Sequence, residues 1–125
     1  MKSLRDLLTL DTLPADWRAA TLVGRAWLPG ACAGPSPIAV RPNGDVVDLA
    51  AVEPTMSQLL ARADRVALAR NAPGKTVCSV DALLANSGDD RNAGTPSLLA
   101  PNDLQAIKAS GVTFVQSLLE RVIEE

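Results

Sequence analysis

The chain has 125 residues, a net charge of −2 and 47% apolar residues, enough for one small domain with its own core. Because acidic and basic residues are interleaved and the aromatic residues are only one Phe and two Trp, we expect neither a nucleic-acid nor an anionic-membrane partner. The lack of histidine excludes a histidine-based catalytic triad, a histidine-ligated zinc ion and a histidine acid or base within this chain.

The cellular compartment is predicted from what the sequence lacks. Its N-terminal segment has no signal-peptide pattern, and no stretch approaches the roughly 18 apolar residues of a membrane span. We therefore expect a cytoplasmic protein. Cys32 and Cys78 are far apart and lack metal-ligand spacing. A disulfide between them is one interpretation, but two reduced, buried cysteines are the favoured one.

The first half of the chain predicts short helical turns followed by a small sheet. Residues 3–9 favour one or two short turns, and residues 13–17 a further turn. From 19 to 50, apolar segments alternate with turn signals and predict three antiparallel strands. The turn at Asn43-Gly44 is the strongest signal, because this dipeptide favours a tight hairpin between residues 37–41 and 45–49. Such a sheet needs other elements packed on it.

Helices are predicted to cover that sheet. Residues 52–71 have helical apolar spacing, with Thr55 or Ser57 as N-cap and a division into two short helices near Asp64.

A third short helix is predicted over residues 79–86, capped by Ser79. The polar, glycine-bearing residues 86–95 predict a surface loop, which we expect to be the most mobile segment and the best internal boundary. The fold class is therefore α+β: a small antiparallel β-sheet packed with several short helices.

The last part of the chain, residues 98–125, predicts two helices with a tight break between them. Asn102 with Gln105 forms a capping-box pattern for the first helix, which would place Leu104 and Ile107 on one face. Ser110-Gly111 provides the break.

The second helix, opened by Thr113, is predicted to be amphipathic. Its apolar stripe has helical spacing and consists of Phe114, Val115, Leu118, Leu119, Val122 and Ile123. This pattern runs up to Glu124-Glu125 without a stop signal, so we interpret the chain as continuing beyond residue 125; a frayed terminal helix is the alternative. The stripe also predicts self-association, and we expect a homo-oligomer.

Three groups of residues are candidates for chemistry. Gly74-Lys75-Thr76 resembles the end of a phosphate-binding loop but lacks its earlier glycine, so a surface turn is favoured. Asp89-Asp90 lacks the spacing of a calcium loop, and a solvated loop is favoured. Thr113, Ser117 and Glu120 share the polar face of the last helix, where such side chains are usually only solvated.

The segment LLAPNDLQAIKASGVTFVQSLLERVIEE resembles the junction between the N-terminal and catalytic domains of the fumarylacetoacetate hydrolase family. It is most similar to the sugar-acid branch, the 2-keto-3-deoxy-pentonate dehydratases. The opening LPADWRAATLVGRAW is similar to the start of the same proteins, although less specific. The resemblance implies a small N-terminal α+β domain over residues 1–97. Residues 98–125 would be a helical junction and lid that leads into a catalytic core downstream of residue 125.

The family's lid pattern, Gly-x-Asn-Tyr-x-x-His-x-x-Glu, aligns with five positions here: Gly111, Thr113, Phe114, Ser117 and Glu120. The glutamate is retained, and serine replaces the histidine. Because serine cannot activate water as that histidine does in the hydrolase branch, the resemblance favours the dehydratases, which carry Ser and Glu there. Fumarylacetoacetate-type hydrolysis or decarboxylation stays open as an alternative.

The resemblance also implies a mechanism. A Mg²⁺ ion, bound by carboxylates of the downstream core, polarises a 2-keto-3-deoxy sugar acid. Glu120 then removes the C3 proton while Ser117 positions it or a water molecule, and Thr113 contacts the substrate. Loss of the C4 hydroxyl gives an α-keto acid semialdehyde. The 125-residue chain alone is expected to be inactive. The alternative of a different class is a non-catalytic interaction or assembly module that uses the apolar stripe.

Overall fold

A computed structural model of the protein describes residues 2–109, so the predicted lid helix lies outside the described residues. The described part contains an antiparallel sheet of five strands in the spatial order β4-β3-β2-β1-β5. The strands are β1 (Leu22–Leu28), β2 (Gly34–Val40), β3 (Asp45–Asp48), β4 (Thr76–Ser79) and β5 (Ser97–Leu99). The α+β class and the three-stranded sheet predicted within residues 19–50 are confirmed.

The β2–β3 hairpin turns where Asn43-Gly44 predicts it. Gly44 has φ of +93°, a conformation that glycine adopts without a Cβ clash. The Asn43 side chain accepts a hydrogen bond from the Asp45 backbone N–H at 3.0 Å, which closes the turn. The Asp45 backbone carbonyl in turn accepts a hydrogen bond from the Arg41 N–H at 2.8 Å.

In the described residues one short helix precedes the first strand and three lie between β3 and β5, and two of these three begin at predicted caps. The helices are α1 (Leu4–Leu7), α2 (Met56–Ala61), α3 (Arg65–Asn71) and α4 (Val80–Ala85), with a 3₁₀ turn at Leu10–Thr12. The Thr55 hydroxyl accepts from the Gln58 N–H at 3.1 Å, and that of Ser79 from the Ala82 N–H at 3.2 Å. The predicted division near Asp64 is confirmed, because α2 ends at Ala61 and α3 begins at Arg65.

Both faces of the sheet are covered by apolar clusters. Successive residues of a strand point to opposite faces, so Ile38 and Ala39 of β2 belong to different clusters. Helix α4 contributes to the cluster of Trp17, Ala26, Ile38, Val46, Val80, Leu83 and Leu84. Helix α2 contributes to the other cluster, formed by Ala39, Val47, Leu49, Met56, Leu59 and Ala72.

Two strands were not predicted, and β2 begins earlier than expected. Strands β4 and β5 have four and three residues, too few for a period-two pattern to be recognised. They exist because β3 and β1 offer them backbone partners, in pairs such as Val46 with Cys78 and Arg25 with Leu99. Strand β5 crosses the predicted boundary at residue 97 and belongs to the sheet.

The loop after α4 is organised by one side chain. The Asn86 side-chain amide lies within 3.1 Å of the carbonyls of Asn92, Thr95 and Pro96, and its oxygen accepts from the Asn92 N–H at 2.7 Å. The predicted surface loop is confirmed for residues 89–95, which are exposed, whereas Ser87 and Gly88 are buried. The Asn86 bonds define the path of the loop back to the sheet.

The prediction of buried cysteines is wrong for Cys32. Both cysteines are free, but Cys32 is exposed and Cys78 is only partly buried. Cys32 lies in the loop between β1 and β2, outside either apolar cluster. Partial burial raises the pKa of the Cys78 thiol.

Candidate functional site

The residues predicted to carry the chemistry, Thr113, Ser117 and Glu120, lie outside the described residues. The structure does describe the junction segment that leads to them, which we define as residues 98–109.

The prediction of a helix that begins at Asn102 is wrong for the residues that the structure describes. Residues 102–109 have no helical turn, and Leu104 and Ile107 are 75% and 78% exposed. The Gln105 side chain accepts from the Asp103 N–H at 2.7 Å instead of completing a capping box with Asn102. The local pattern is overridden because Asp103 is engaged elsewhere.

Asp103 caps helix α2 from 46 residues away in sequence. One carboxylate oxygen accepts from the Met56 N–H at 2.7 Å; the other accepts from the Ser57 N–H at 3.1 Å and from the Ser57 hydroxyl at 2.6 Å. We call this arrangement the Asp103 cap. The first N–H groups of a helix have no partner within it, and its N-terminus favours negative charge, so both hydrogen bonding and the helix dipole stabilise the carboxylate there.

The Asp103 cap completes the N-terminus of α2. Thr55 satisfies the Gln58 N–H with its hydroxyl and the Leu59 N–H with its carbonyl. Asp103 satisfies the two remaining amides, those of Met56 and Ser57. The sequence identified Thr55 or Ser57 as the cap, and the structure has Thr55 there, but no local pattern links residue 103 to this helix.

These bonds hold the carboxyl group in its ionised form. The pKa of Asp103 is lowered from 3.8 to about 2, chiefly by the Ser57 hydroxyl, against the opposing effect of desolvation. Hydrogen bonds from the backbone amides of Leu104, Met56 and Ser57 act in the same direction as the hydroxyl.

We expect Asp103→Asn to lower the unfolding temperature near neutral pH. Because the folded-state pKa lies below that of the unfolded chain, the carboxylate stabilises the fold fully above about pH 4 and loses this effect as the pH falls through about 2. Thermal unfolding of the 125-residue chain should therefore show a difference between wild type and variant that shrinks on acidification. Asp89→Asn, at an exposed loop position, is the matched control. A difference that stays constant down to pH 2 would contradict this assignment.

An exposed apolar surface adjoins the Asp103 cap. Ser57 and Leu60 are three apart in α2 and so share one face, and Leu60 lines a groove together with Val66. Leu60 is 44% exposed and Val66 54%. We call Leu60 and Val66 the junction surface. Exposed apolar side chains near one another are typical of a surface that another segment or protein covers.

The other candidate residues have structural contacts. Gly74 packs against β3, and the Lys75 carbonyl accepts from the Asp48 N–H at 2.9 Å. The prediction of a surface turn at Gly74-Lys75-Thr76 is thus wrong for Thr76, which begins β4. Asp90 pairs with Arg5 at 3.1 Å, with both side chains largely in solvent, as favoured for this loop.

A polar pair lies beside an open cavity of about 410 Å³ next to the β1–β2 loop. The buried Ser36 hydroxyl donates to Asp48, whose carboxylate also accepts from the Ala50 N–H at 2.9 Å. Both groups thus join the start of β2 to the end of β3, which is a structural role.

The described residues do not fit a Mg²⁺ site. Within residues 2–109, no group of three or more His, Cys, Asp or Glu side chains could hold a metal ion. Nor is any helix in this range long and apolar enough to cross a membrane.

Comparison of the chain with protein-family models, with curated proteins and with solved structures finds no match in any of the three. The resemblance of residues 98–125 to the fumarylacetoacetate hydrolase family therefore depends on the residues of that segment and on the weaker match near the start of the chain.

Proposed function

We propose that the chain is the N-terminal domain, junction and lid of a cytoplasmic, homo-oligomeric enzyme of the fumarylacetoacetate hydrolase family. The enzyme would dehydrate a 2-keto-3-deoxy sugar acid to an α-keto acid semialdehyde. The lid pattern in residues 111–120 supports the family and the reaction. The Asp103 cap is the structural observation that supports the proposal, since it attaches the junction segment to a folded domain eight positions before the lid pattern begins at Gly111.

In the proposed enzyme, the Asp103 cap would limit where the lid lies. Thr113 follows Asp103 by ten positions, and ten extended residues span at most about 36 Å. The proposed site would therefore lie within that distance of the α2 N-terminus. Leu60 shares a face of α2 with Ser57 and is 44% exposed, and a downstream catalytic core would cover it together with Val66.

In the proposed reaction, Glu120 removes the proton from C3 of the substrate, and the C4 hydroxyl group takes up that proton and leaves as water. The resulting C3–C4 alkene, which carries the C5 hydroxyl group, tautomerises to the semialdehyde. A glutamate is a good base near neutral pH only when its pKa is raised, which closure of the lid over the substrate would achieve by excluding water. Ser117, one turn earlier, would position Glu120 or a water molecule, and Thr113 would contact the substrate. Mg²⁺ would provide charge stabilisation when bound by carboxylates of the downstream core.

Two measurements test this proposal. The intact mass of the native protein should be several-fold larger than the 13.0 kDa of this chain, because a catalytic core must follow. The complete enzyme, assayed with Mg²⁺, should then dehydrate a 2-keto-3-deoxy-pentonate and leave a fumarylacetoacetate-type substrate uncleaved. Cleavage of the second substrate alone would favour the hydrolase alternative.

A second candidate function is a non-catalytic interaction module. The exposed Leu104 and Ile107 favour it, because an apolar surface of this kind also suits a separate partner chain. A native mass of 13.0 kDa would contradict the enzyme and support the module.

A further inference from the structure

We propose that the chain binds a small, doubly charged oxyanion of the phosphate type in a cavity bounded by the start of β1, the end of β2 and the end of α3. We call it the arginine cavity, because the guanidinium groups of Arg41 and Arg70 would be the main ligands of the anion. Binding there would be independent of the proposed function, since it involves only residues between 19 and 72.

The arginine cavity lies where β1 and β2 stop pairing. Leu22 and Val40 are the last pair of their ladder, and beyond it the Arg41 backbone N–H donates to the Asp45 carbonyl of β3 at 2.8 Å. Residues of both strands and Asn71, the last residue of α3, line a cavity of about 230 Å³. Most sites for drug-sized ligands measure roughly 300–1,000 Å³, so this cavity suits a small ion better.

Arg41 is fixed in the wall of the arginine cavity by the end of α3. Its side chain is half-buried, and its guanidinium group donates to the Ala69 carbonyl at 2.7 Å and to the Ala72 carbonyl. These carbonyls lie at the helix C-terminus, so the bonds offset the negative end of the helix dipole and hold the charge of Arg41 in place. They use two of the five N–H donors of a guanidinium group, and the others are available to an anion.

Arg70 provides the second charge from α3 itself. Its guanidinium group donates to the Thr21 hydroxyl and to the Ala19 carbonyl, each at 3.3 Å, which is long for such bonds. An anion can therefore compete for these donors at little cost. The Thr21 hydroxyl and the Asn71 amide also line the cavity and can donate. Donors of these kinds are the ones that bind phosphate and carboxylate oxygens in proteins.

The charges of Arg41 and Arg70 have no carboxylate partner among the described residues. In residues 2–109 the ion pairs involve only Arg5 and Arg62, and no Asp or Glu lines the arginine cavity. Two positive charges on one cavity repel each other, and a bound dianion offsets that repulsion. Because a guanidinium group binds oxyanions through two parallel N–H···O bonds, this pair favours an anion with several equivalent oxygens over chloride.

Phosphate titration of the 125-residue chain at constant ionic strength tests the proposal, with NMR of the arginine Nε–H groups as the readout. At about pH 8, where phosphate is a dianion, the signals of Arg41 and Arg70 should shift together and saturate. The signal of Arg91, in an exposed loop, should stay unchanged.

Variants of the exposed Arg70 test the site without removing the contacts that Arg41 makes with α3. Arg70→Gln should weaken phosphate binding about tenfold, the scale for loss of one charge-assisted hydrogen-bonding group. Arg70→Lys retains the charge but not the two parallel donors, so its effect should be smaller. Arg91→Gln makes the same change in an exposed loop and should bind phosphate as the wild type does.

Other anions identify the chemistry of the ligand. Acetate, with a single charge, should bind about tenfold more weakly than phosphate at the same ionic strength, and equal affinities would overturn the preference for a dianion. Glycerol 3-phosphate distinguishes two sources of the same group. Tighter binding than that of inorganic phosphate would identify a phosphate monoester, and weaker binding would identify the free ion; both results support the site.

Two results would overturn the proposal. Shifts that do not saturate, or that affect Arg91 equally, would indicate an adventitious ion only. Unchanged phosphate affinity in Arg70→Gln would place the ion outside the arginine cavity. Both results would leave the proposed enzyme function unaffected, because that function depends on other residues.

Discussion

Gly74→Ala is expected to destabilise the domain by about 3 kcal/mol, a large share of the stability of a chain of this size. A Cβ atom at residue 74 would lie 2.3 Å from the Asp48 carbonyl oxygen and 2.6 Å from a Val47 methyl carbon. Contacts below 3.0 Å force movement, and the nearest atom belongs to the backbone of β3.

The backbone at residue 74 cannot move away from β3 at low energetic cost, because the carbonyl oxygen of the next residue, Lys75, accepts a hydrogen bond from the Asp48 N–H at 2.9 Å. Relief of the clash would separate β3 from the segment that enters β4, at a place where the ladder is already irregular between Val46 and Val47.

Urea unfolding of the 125-residue chain measures this effect, with Gly34→Ala as the matched control. No atom lies within 4 Å of a Cβ placed at Gly34, and neither glycine has a positive φ. The control should therefore stay within about 0.5 kcal/mol of wild type. Equal midpoints for Gly74→Ala and wild type would contradict the close approach of residue 74 to β3.

Glu120→Gln is expected to lower kcat of the complete enzyme by a factor on the order of 10² to 10⁴, the usual contribution of a general base. Glutamine preserves the size of the side chain and its capacity to hydrogen-bond, but it cannot take the C3 proton. Ser117→Ala should be milder, about tenfold, because in the proposed reaction serine would position the base and would not accept the proton. Steady-state kinetics with a 2-keto-3-deoxy-pentonate and Mg²⁺ give both values.

The control is Glu124→Gln, since Glu124 lies one turn further along the same predicted helix face. Activity close to wild type in that variant, together with loss in Glu120→Gln, would assign the base to residue 120. An unaffected Glu120→Gln enzyme would refute the lid assignment.

The predictions for Glu120 and Asp103 differ in origin. Glu120, Ser117 and Thr113 are candidates because of a sequence pattern at fixed spacing, and they lie outside the described residues. Asp103 is a candidate because of where the fold places it, 2.7 Å from the Met56 amide nitrogen. In the sequence it appears only as a polar residue next to the predicted cap Asn102.

Local features of this protein could be predicted from the sequence because their causes are local. The Asn43-Gly44 turn depends on the conformations open to two adjacent residues. The caps of Thr55 and Ser79 depend on a side chain reaching an amide three residues away. The α+β class follows from such signals combined with apolar spacing, which indicates the type of each element without its partners.

Only the tertiary structure decided the features whose partners are distant in the chain. Strands β4 and β5 exist because the edges of β3 and β1 were available to pair. The capping-box pattern at Asn102 did not produce a helix in the described residues, because the Asp103 carboxylate bonds amides 46 and 47 residues earlier. A short helix gains little stability from its own sequence, so the contacts of Asp103 with α2 prevail over the capping-box pattern at Asn102.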